Sequence, residues 1–597
     1  MAGHRQRKSA RQQAVAEALS AGLALQKLGR LGDAEKIYLE ILNLDPSCFD
    51  ALHMLALLRH AQGRRDEALV FIDRALRVER GSADALANRG SILLRLGRAA
   101  EALATCERAL VLAPRHVGAC INRGNALQAL GLHAAALASY DKVLAVAPGH
   151  VQALTNRGNA LQKLRRVDEA LASYDRALAA DPDFDDAWTN RGVALDGLGR
   201  LDDALASHER AVALDPRNAN AWSNRASTLQ SLGRPDDALA SADAALALDP
   251  DHAGAWSNRG NALRQLGRYA QARASYDRAL ALQPDNADVQ FNDGILRLTM
   301  GDFRGGWDKY EFRWQTPQAV ANPLRALAPQ WSGAEPLAGR TIMLFSEQGL
   351  GDTIQLVRYV PQVAQAAAHV LLSIDPGLAP LRLPLADNVT LLAPGADVPR
   401  FDLQCPLLGL PRAFAADLAN IPNVPYVAAP PERIAAWAAR LPRRRARRVG
   451  LVWAGNPAHR DDRNRSIALA RLLRLLDVAD VEIVALQRDL RPGDEALLRQ
   501  HPVIVPLGHA LADFADTAAI VGLLDLVVTV DSSVAHLAGA MGAPVWVLLP
   551  FCPDWRWLLD REDSPWYPSA RLFRQPSVGD WDGVIERVAR ELAAMPG

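Results

Sequence analysis

Residues 182–216 read PDFDDAWTNRGVALDGLGRLDDALASHERAVALDP, and residues 216–250 read PRNANAWSNRASTLQSLGRPDDALASADAALALDP. Laid over one another they share Ala-Trp, Asn-Arg, Leu-Gly-Arg, Asp-Asp-Ala-Leu-Ala-Ser and Leu-Asp-Pro at an offset of 34 residues. That step runs through the first half of the chain. Prolines keep it at Pro46, Pro114, Pro148, Pro182, Pro216, Pro250 and Pro284, with Arg80 in the one missing slot. Glycines keep it at Gly29, Gly63, Gly97, Gly131, Gly199, Gly233, Gly267 and Gly301, interrupted by Arg165. A third series of small residues runs Gly22, Ala56, Gly90, Gly124, Gly158, Gly192, Ala226, Gly260 and Gly294, and a fourth runs from Ala34 through Ala272. A fixed period of this length signals a repeat array, in which each unit buries its apolar face against its neighbours. Eight units extend from about residue 15 to 286, and a degenerate ninth, lacking the closing proline, from 287 to 316.

The pattern resembles the tetratricopeptide repeat, which implies an α-solenoid of antiparallel helix pairs, small residues where the helices approach and proline closing the second helix. Two positions before the small residue, Asn88, Asn122, Asn156, Asn190, Asn224, Asn258 and Asn292 recur in register. An amide both donates and accepts, so such a row suits an extended peptide backbone; it is similar to the asparagine ladder of O-GlcNAc transferases. The ladder is read either as the groove for a protein or peptide acceptor or as amides that satisfy neighbouring helix ends. Asn125, Asn159 and Asn261, then Gln128, Gln162 and Gln230, are expected to continue that polar face. Arg89, Arg123, Arg157, Arg191, Arg225 and Arg259 are expected to pair with acids such as Asp181 or Asp215, and Cys106 and Cys120 to pack in the core.

The chain has 597 residues, with 67 Lys+Arg against 67 Asp+Glu, so no global field draws it to DNA or an anionic membrane. Hydrophobic residues at 49% and charged ones at 22% exclude long disorder and fibrous classes. No stretch reaches the roughly 18 apolar residues of a membrane span, the basic start (1–14) has no apolar core behind it, and five scattered cysteines hold no C-x-x-C pair. A cytoplasmic protein, free or peripheral at the inner face of a membrane, is expected, without nucleic-acid partners.

Beyond residue 316 the period stops, and 317–339, with Pro323, Pro329 and Pro336, reads as a connector. Short apolar runs then alternate with helical stretches: 341–346, 369–374, 389–392 and 401–404, and in a second series 448–453, 482–486, 503–506, 526–530 and 545–549. Such alternation predicts parallel doubly wound sheets, in two Rossmann-like halves at 340–430 and 431–597, with ligands beyond the carboxyl ends of the strands. Two loops stand at such ends. Glu347-Gln348-Gly349-Leu350-Gly351-Asp352 lets backbone approach a ligand, and Asp352 is either a first-turn acid or a carboxylate aimed into the cleft. Asp531-Ser532-Ser533-Val534-Ala535-His536 opens a helix whose free N–H groups suit a diphosphate, with His536 either reaching it or packed between helix and sheet.

These loops, with Gly542 and Pro544, resemble the ADP-heptose:lipopolysaccharide heptosyltransferases, glycosyltransferase family 9. The resemblance covers 340–592 and implies a GT-B fold, a metal-independent inverting mechanism and a nucleotide-sugar donor. It implies that Asp352 is the base and that Gly349, Gly351, Asp531, Ser532, Ser533, His536 and Leu537 hold the donor. It places a basic donor residue in 456–466, at Arg465 or else Arg463, and Gln487 near the nucleotide. Ser532 and Ser533 depart from the family's Thr and Gly. The combination with a repeat array resembles O-GlcNAc transferases. No metal is expected: Asp580-Trp581-Asp582 reads as capping acids. Trp555, Trp557, Trp566 and Tyr567 either stack on a ligand or dock the last helix, and Arg440, Arg443, Arg444, Arg445, Arg447 and Arg448 read as a solvated hinge or a hold on an anionic surface. The expected function is transfer of a sugar to a protein bound by the repeats; the rival is a non-catalytic scaffold with a degenerate transferase-like half.

Overall fold

The computed structural model describes residues 2–316, 322–441, 446–459 and 461–595, with side chains from residue 13. The chain forms two compact units, 1–228 and 229–597. In the first, helices alternate in pairs from Ala2–Lys27 and Leu31–Leu44 through Asp185–Gly197 and Leu201–Leu214. The basic start is therefore the beginning of a helix rather than a separate tail.

The small-residue series explains the pairing. A methyl group built on Gly158 would sit 2.4 Å from Tyr174 Cε1, and on Gly124 2.5 Å from Tyr140 Cε1. Gly22, Gly124, Gly158, Gly192 and Gly260 each seat a ring sixteen residues on, while Gly90 seats the Cys106 sulfur. Where the first helix carries Ala56 or Ala226, the second offers Ile72 or Ala242 instead of a ring. Burial of Ala68, Ile72, Tyr140, Tyr174 and Ala204 fills the spaces between neighbours. The turn glycines adopt φ between 71° and 80° at Gly63, Gly97, Gly131, Gly199 and Gly233, and Arg165, in the interrupted slot, adopts φ 62°.

The recurring arginines do pair with acids, but sixteen residues upstream rather than with Asp181 or Asp215. Arg89 meets Asp73 at 2.7 Å, Arg157 Asp141 at 2.7 Å and Arg191 Asp175 at 2.8 Å, and each also donates sixteen residues downstream, to Thr105, Ser173 and Ser207. Cys106 and Cys120 are buried as expected.

The second unit opens with Pro235–Leu248, Ala253–Gln265, Tyr269–Leu282, Ala287–Thr299 and the short Phe303–Tyr310. A four-stranded parallel sheet follows, ordered β3-β2-β1-β4, from β1 (Thr341–Phe345), β2 (His369–Ser373), β3 (Val389–Leu391) and β4 (Leu403–Pro406). A six-stranded parallel sheet is ordered β10-β9-β8-β5-β6-β7, from β5 (Arg447–Val452), β6 (Val481–Ala485), β7 (Val505–Pro506), β8 (Leu526–Val530), β9 (Val545–Leu549) and β10 (Ala570–Arg574). β8 and β9 are buried throughout, as strands covered on both faces must be. One core joins Trp307, Ile342, Leu344, Ala535, Trp555 and Leu572, so the ninth repeat, both sheets and the helix Ser533–Met541 pack as one body.

Strand order reverses between β5 and β8 and between β1 and β4, which puts crevices at the carboxyl ends of β5, β8 and β1. The loops that follow those strands are the ones singled out above. The helical stretch between β1 and β2 is not continuous but Leu350–Leu356, a 3-10 turn and Val360–Ala366, with Pro361 in the first turn of the second helix. The helix Phe514–Val521 fills the stretch expected between the strands at 503–506 and 526–530, and the strand at 570–574 is an addition to the expected series. Arg443, Arg444, Arg445 and connector residues 317–321 lie outside the described residues. Arg440 stacks over Trp437, Arg447 donates to the carbonyls of Leu592 and Met595, and Arg448 is buried against Glu482 at 2.9 Å, so these are packing elements rather than a solvated hinge.

Candidate functional site

The Gly-Leu-Gly-Asp loop and the Asp-Ser-Ser-x-x-His loop meet. A methyl group on Gly351 would lie 2.7 Å from His536 Cδ2 and 3.4 Å from Ser533 Cα, so only glycine lets the two helix starts come this close. Asp352 sits in the first turn of Leu350–Leu356, where its Oδ2 accepts the Gly349 N–H at 2.8 Å. Its Oδ1 is engaged by Arg556, reaching from the loop after β9.

His536 is buried. Its Nδ1 is 3.0 Å from the Tyr567 hydroxyl, its ring stacks on Trp557 with centroids 5.5 Å apart, and its Nε2 is 3.9 Å from Asp531. Burial holds its pKa well below the ordinary histidine value, and the charges of Arg556, Arg358 and Arg465 add to this. Burial pushes the Asp531 carboxyl up to about 7, Asp554 adding to the rise while Arg465 and Arg556 oppose it. Ser532 caps the helix Ser533–Met541 by position, its hydroxyl 3.0 Å from Thr529 Oγ1, and Ser533 is half-buried at the same end. Arg465 lies along Gly455; its buried Nε makes no hydrogen bond and is 3.9 Å from Asp462 Oδ1, and its charge is felt by Asp531 and His536. Arg463 is exposed.

Three expectations are corrected. Gln487 spends its amide on the backbone: Oε1 accepts from Trp453 and Ala454 at 3.1 and 3.0 Å, and Nε2 donates to the carbonyls of Ala454 and Asp489. It braces the β5 loop and has nothing left for a nucleotide. Leu537 is a fully buried core side chain. Trp555, Trp557, Trp566 and Tyr567 are all at most 1% exposed, so they pack rather than stack on a ligand. Asp580 caps the last helix by accepting from Gly583 at 2.9 Å, and Asp582 pairs with Arg471.

In the repeats, all seven ladder asparagines are half-buried. Asn88 contacts His53, Asn122 donates to the Ala87 carbonyl and Asn156 to Asn125. Asn190 and Asn224 make no side-chain hydrogen bond among the described residues. The polar face does not continue as expected. Asn125, Asn159 and Asn261 accept from Tyr140, Tyr174 and Tyr276, while Gln128, Gln162 and Gln230 donate to the carbonyls of Asn156, Asn190 and Asn258. These groups fasten helices together.

Sequence reasoning missed Arg556 and Asp554, which lie within the run Asp554-Trp555-Arg556-Trp557. Two charges alternating with two tryptophans were the available signal, since a buried charge requires a partner.

The tetratricopeptide repeat family profile matches residues 19–77, 70–116, 121–183, 155–219 and 223–287. The first 290 or so residues are tetratricopeptide repeats. Protein FlbA of Caulobacter vibrioides is 27% identical over 328 residues, 51% of this chain and 54% of that protein. The chain thus spans about half the length of the curated relative it matches. Among solved structures, a tetratricopeptide repeat protein from Parabacteroides merdae is 20% identical, covering 42% of this chain and 99% of that one, with a TM-score of 0.37. YrrB, described as a TPR protein with an unusual peptide-binding site, is 27% identical over 31% of this chain and 95% of that one, at 0.26. Among the described residues no helix is long and apolar enough to cross a membrane.

Proposed function

We propose that the repeats hold a protein or peptide partner and that the parallel-sheet region is a GT-B glycosyltransferase moving a sugar from a nucleotide-sugar donor to that partner. The supporting observation is the convergence of Gly351, Asp352, Asp531 and His536 at the carboxyl ends of strands that flank the sheet switch points. In this reading Asp352 takes the proton of the acceptor hydroxyl as its oxygen attacks the anomeric carbon, and the bond to the diphosphate breaks. The leaving oxygens collect charge at the start of Ser533–Met541, where free N–H groups, Ser532, Ser533 and Arg465 meet them without a metal. His536, kept neutral by burial, donates or accepts one hydrogen bond there rather than supplying a charge. The half-buried amides of Asn190 and Asn224 offer donors and acceptors to a peptide backbone, so the acceptor is selected by chain conformation more than by side chains.

Titration calorimetry with nucleoside diphosphates tests the donor site. His536→Ala should weaken binding by about 1 kcal/mol, the worth of one net hydrogen bond, and Arg465→Ala by about 1.5 to 3 kcal/mol for a charge-assisted one. Equal affinity in both variants would reject the seat. A scaffold without turnover is the second reading, favoured by Arg556 occupying Asp352 Oδ1 and by Ser532 and Ser533 standing where the resembling family has Thr and Gly. Binding without hydrolysis or transfer would select it.

A further inference from the structure

We infer that Arg556 is a positioning residue for Asp352, and that the ninth repeat exists in its shortened form to hold Arg556 in place. The inference rests on the reading of Asp352 as the reactive carboxylate. Arg556 is 6% exposed. Its Nε donates to Gln355 Oε1 at 2.6 Å, Nη1 to Asp554 Oδ1 at 2.8 Å, and Nη2 to Asp352 Oδ1. A planar fork engaged at three nitrogens cannot rotate, and a carboxylate gripped by it on one oxygen and by the Gly349 N–H on the other cannot rotate either. Each Asp352 oxygen still has a lone pair to accept an acceptor hydroxyl, and the side chain is 20% exposed, so the grip orients the carboxylate without closing it off.

The face of Arg556 rests on Trp555, its guanidinium carbon 4.2 Å from the ring centroid. Trp555 is in turn enclosed edge-on by Trp307 at 5.1 Å and Tyr310 at 6.1 Å, both on Phe303–Tyr310, and by Trp566 at 5.8 Å. The Trp307 indole N–H is anchored on the Ala416 carbonyl at 2.9 Å. The last helix of the array therefore replaces a repeat's usual packing with an aromatic bracket. It stands one side chain behind the arginine that sets the carboxylate.

The test is a double-mutant cycle on sugar transfer, with nucleoside diphosphate affinity measured beside it. Arg556→Lys keeps the charge but cannot fill three donor sites. It should lower kcat about ten- to hundred-fold, the cost of a misplacement near 1 Å, with donor affinity unchanged within twofold and no further loss when Asp352→Asn is already present. Trp307→Phe, which keeps the fold more safely, should show the same signature at several-fold. A loss in Arg556→Lys that adds fully to that of Asp352→Asn, or a Trp307→Phe protein with normal kcat, overturns the inference while leaving Asp352 as base. Normal turnover in Asp352→Asn alone overturns the reading beneath it.

Discussion

Gly158 and Tyr174 offer a quantitative check on how the array is built. A methyl at Gly158 would stand 2.4 Å from Cε1 and 2.6 Å from Cζ of Tyr174, about 1 Å inside ordinary contact. The ring cannot simply retreat, because its hydroxyl is tied to Asn159 at 2.7 Å and the residue is fully buried. Overpacking of this kind costs roughly 1 to 3 kcal/mol, while alanine in place of glycine within a helix returns about 1 kcal/mol. Gly158→Ala should therefore be destabilising by up to about 2 kcal/mol. In a Tyr174→Ile background, which copies the chain's own Ala56–Ile72 pair, the same substitution should stabilise by about 1 kcal/mol. The two effects differ by the overpacking cost, a coupling of roughly 1 to 3 kcal/mol. Native-state hydrogen exchange of the helices Val151–Lys163 and Val167–Ala180 reads the local opening free energy directly. Additive effects, or a stabilising Gly158→Ala in the wild-type background, would refute the interlock.

Arg165 holds φ 62° where the sister turns have glycine, so Arg165→Gly should raise urea resistance by about 0.5 to 1 kcal/mol, left-handed strain outweighing the added freedom of the unfolded chain; an unchanged or lower midpoint contradicts this. Asn190→Ala combined with Asn224→Ala should leave melting unchanged within about 0.5 kcal/mol while weakening a bound peptide by about 0.5 to 1.5 kcal/mol per lost hydrogen bond, measured by fluorescence anisotropy; undiminished binding removes these two amides from the groove. Because burial lowers the His536 pKa in the folded state, the unfolded chain binds the extra proton. Its contribution to stability is full above about pH 6.5 and is lost as pH falls toward the depressed folded value. Wild type should therefore lose more stability than His536→Phe between pH 7.5 and 5.5, and parallel pH profiles would contradict a neutral buried imidazole.

The repeats were legible because a 34-residue period writes the same contact many times: the glycine at each turn and the small residue at each crossing are dictated by backbone geometry. The sheets were legible as short apolar runs, with β8 at 526–530 read to the residue. The strand at 570–574 escaped because Arg571 and Arg574 break its apolar run, and their charges are carried by Glu591 and by the carbonyls of Trp557, Leu558 and Arg561, none of them near in an obvious pattern. At the site, residues that act through the backbone were readable, as Gly349, Gly351 and Ser532 show. Gln487 was not, since a polar side chain at a strand end reads alike whether it faces a ligand or braces its own loop. Arg556 left only its local run of alternating charges and tryptophans as a signal, because its partners Asp352 and Gln355 are about two hundred residues away.

The most direct test of the account is transfer of labelled sugar from a panel of nucleotide sugars to a protein acceptor captured by the array, comparing wild type with Asp352→Asn at matched nucleotide occupancy. Wild type should transfer the sugar, and Asp352→Asn should lose about two to four orders of magnitude, the span of general-base removal, with nucleotide binding retained. Transfer at the wild-type rate by Asp352→Asn, or no transfer or donor hydrolysis by wild type across the panel, would contradict it.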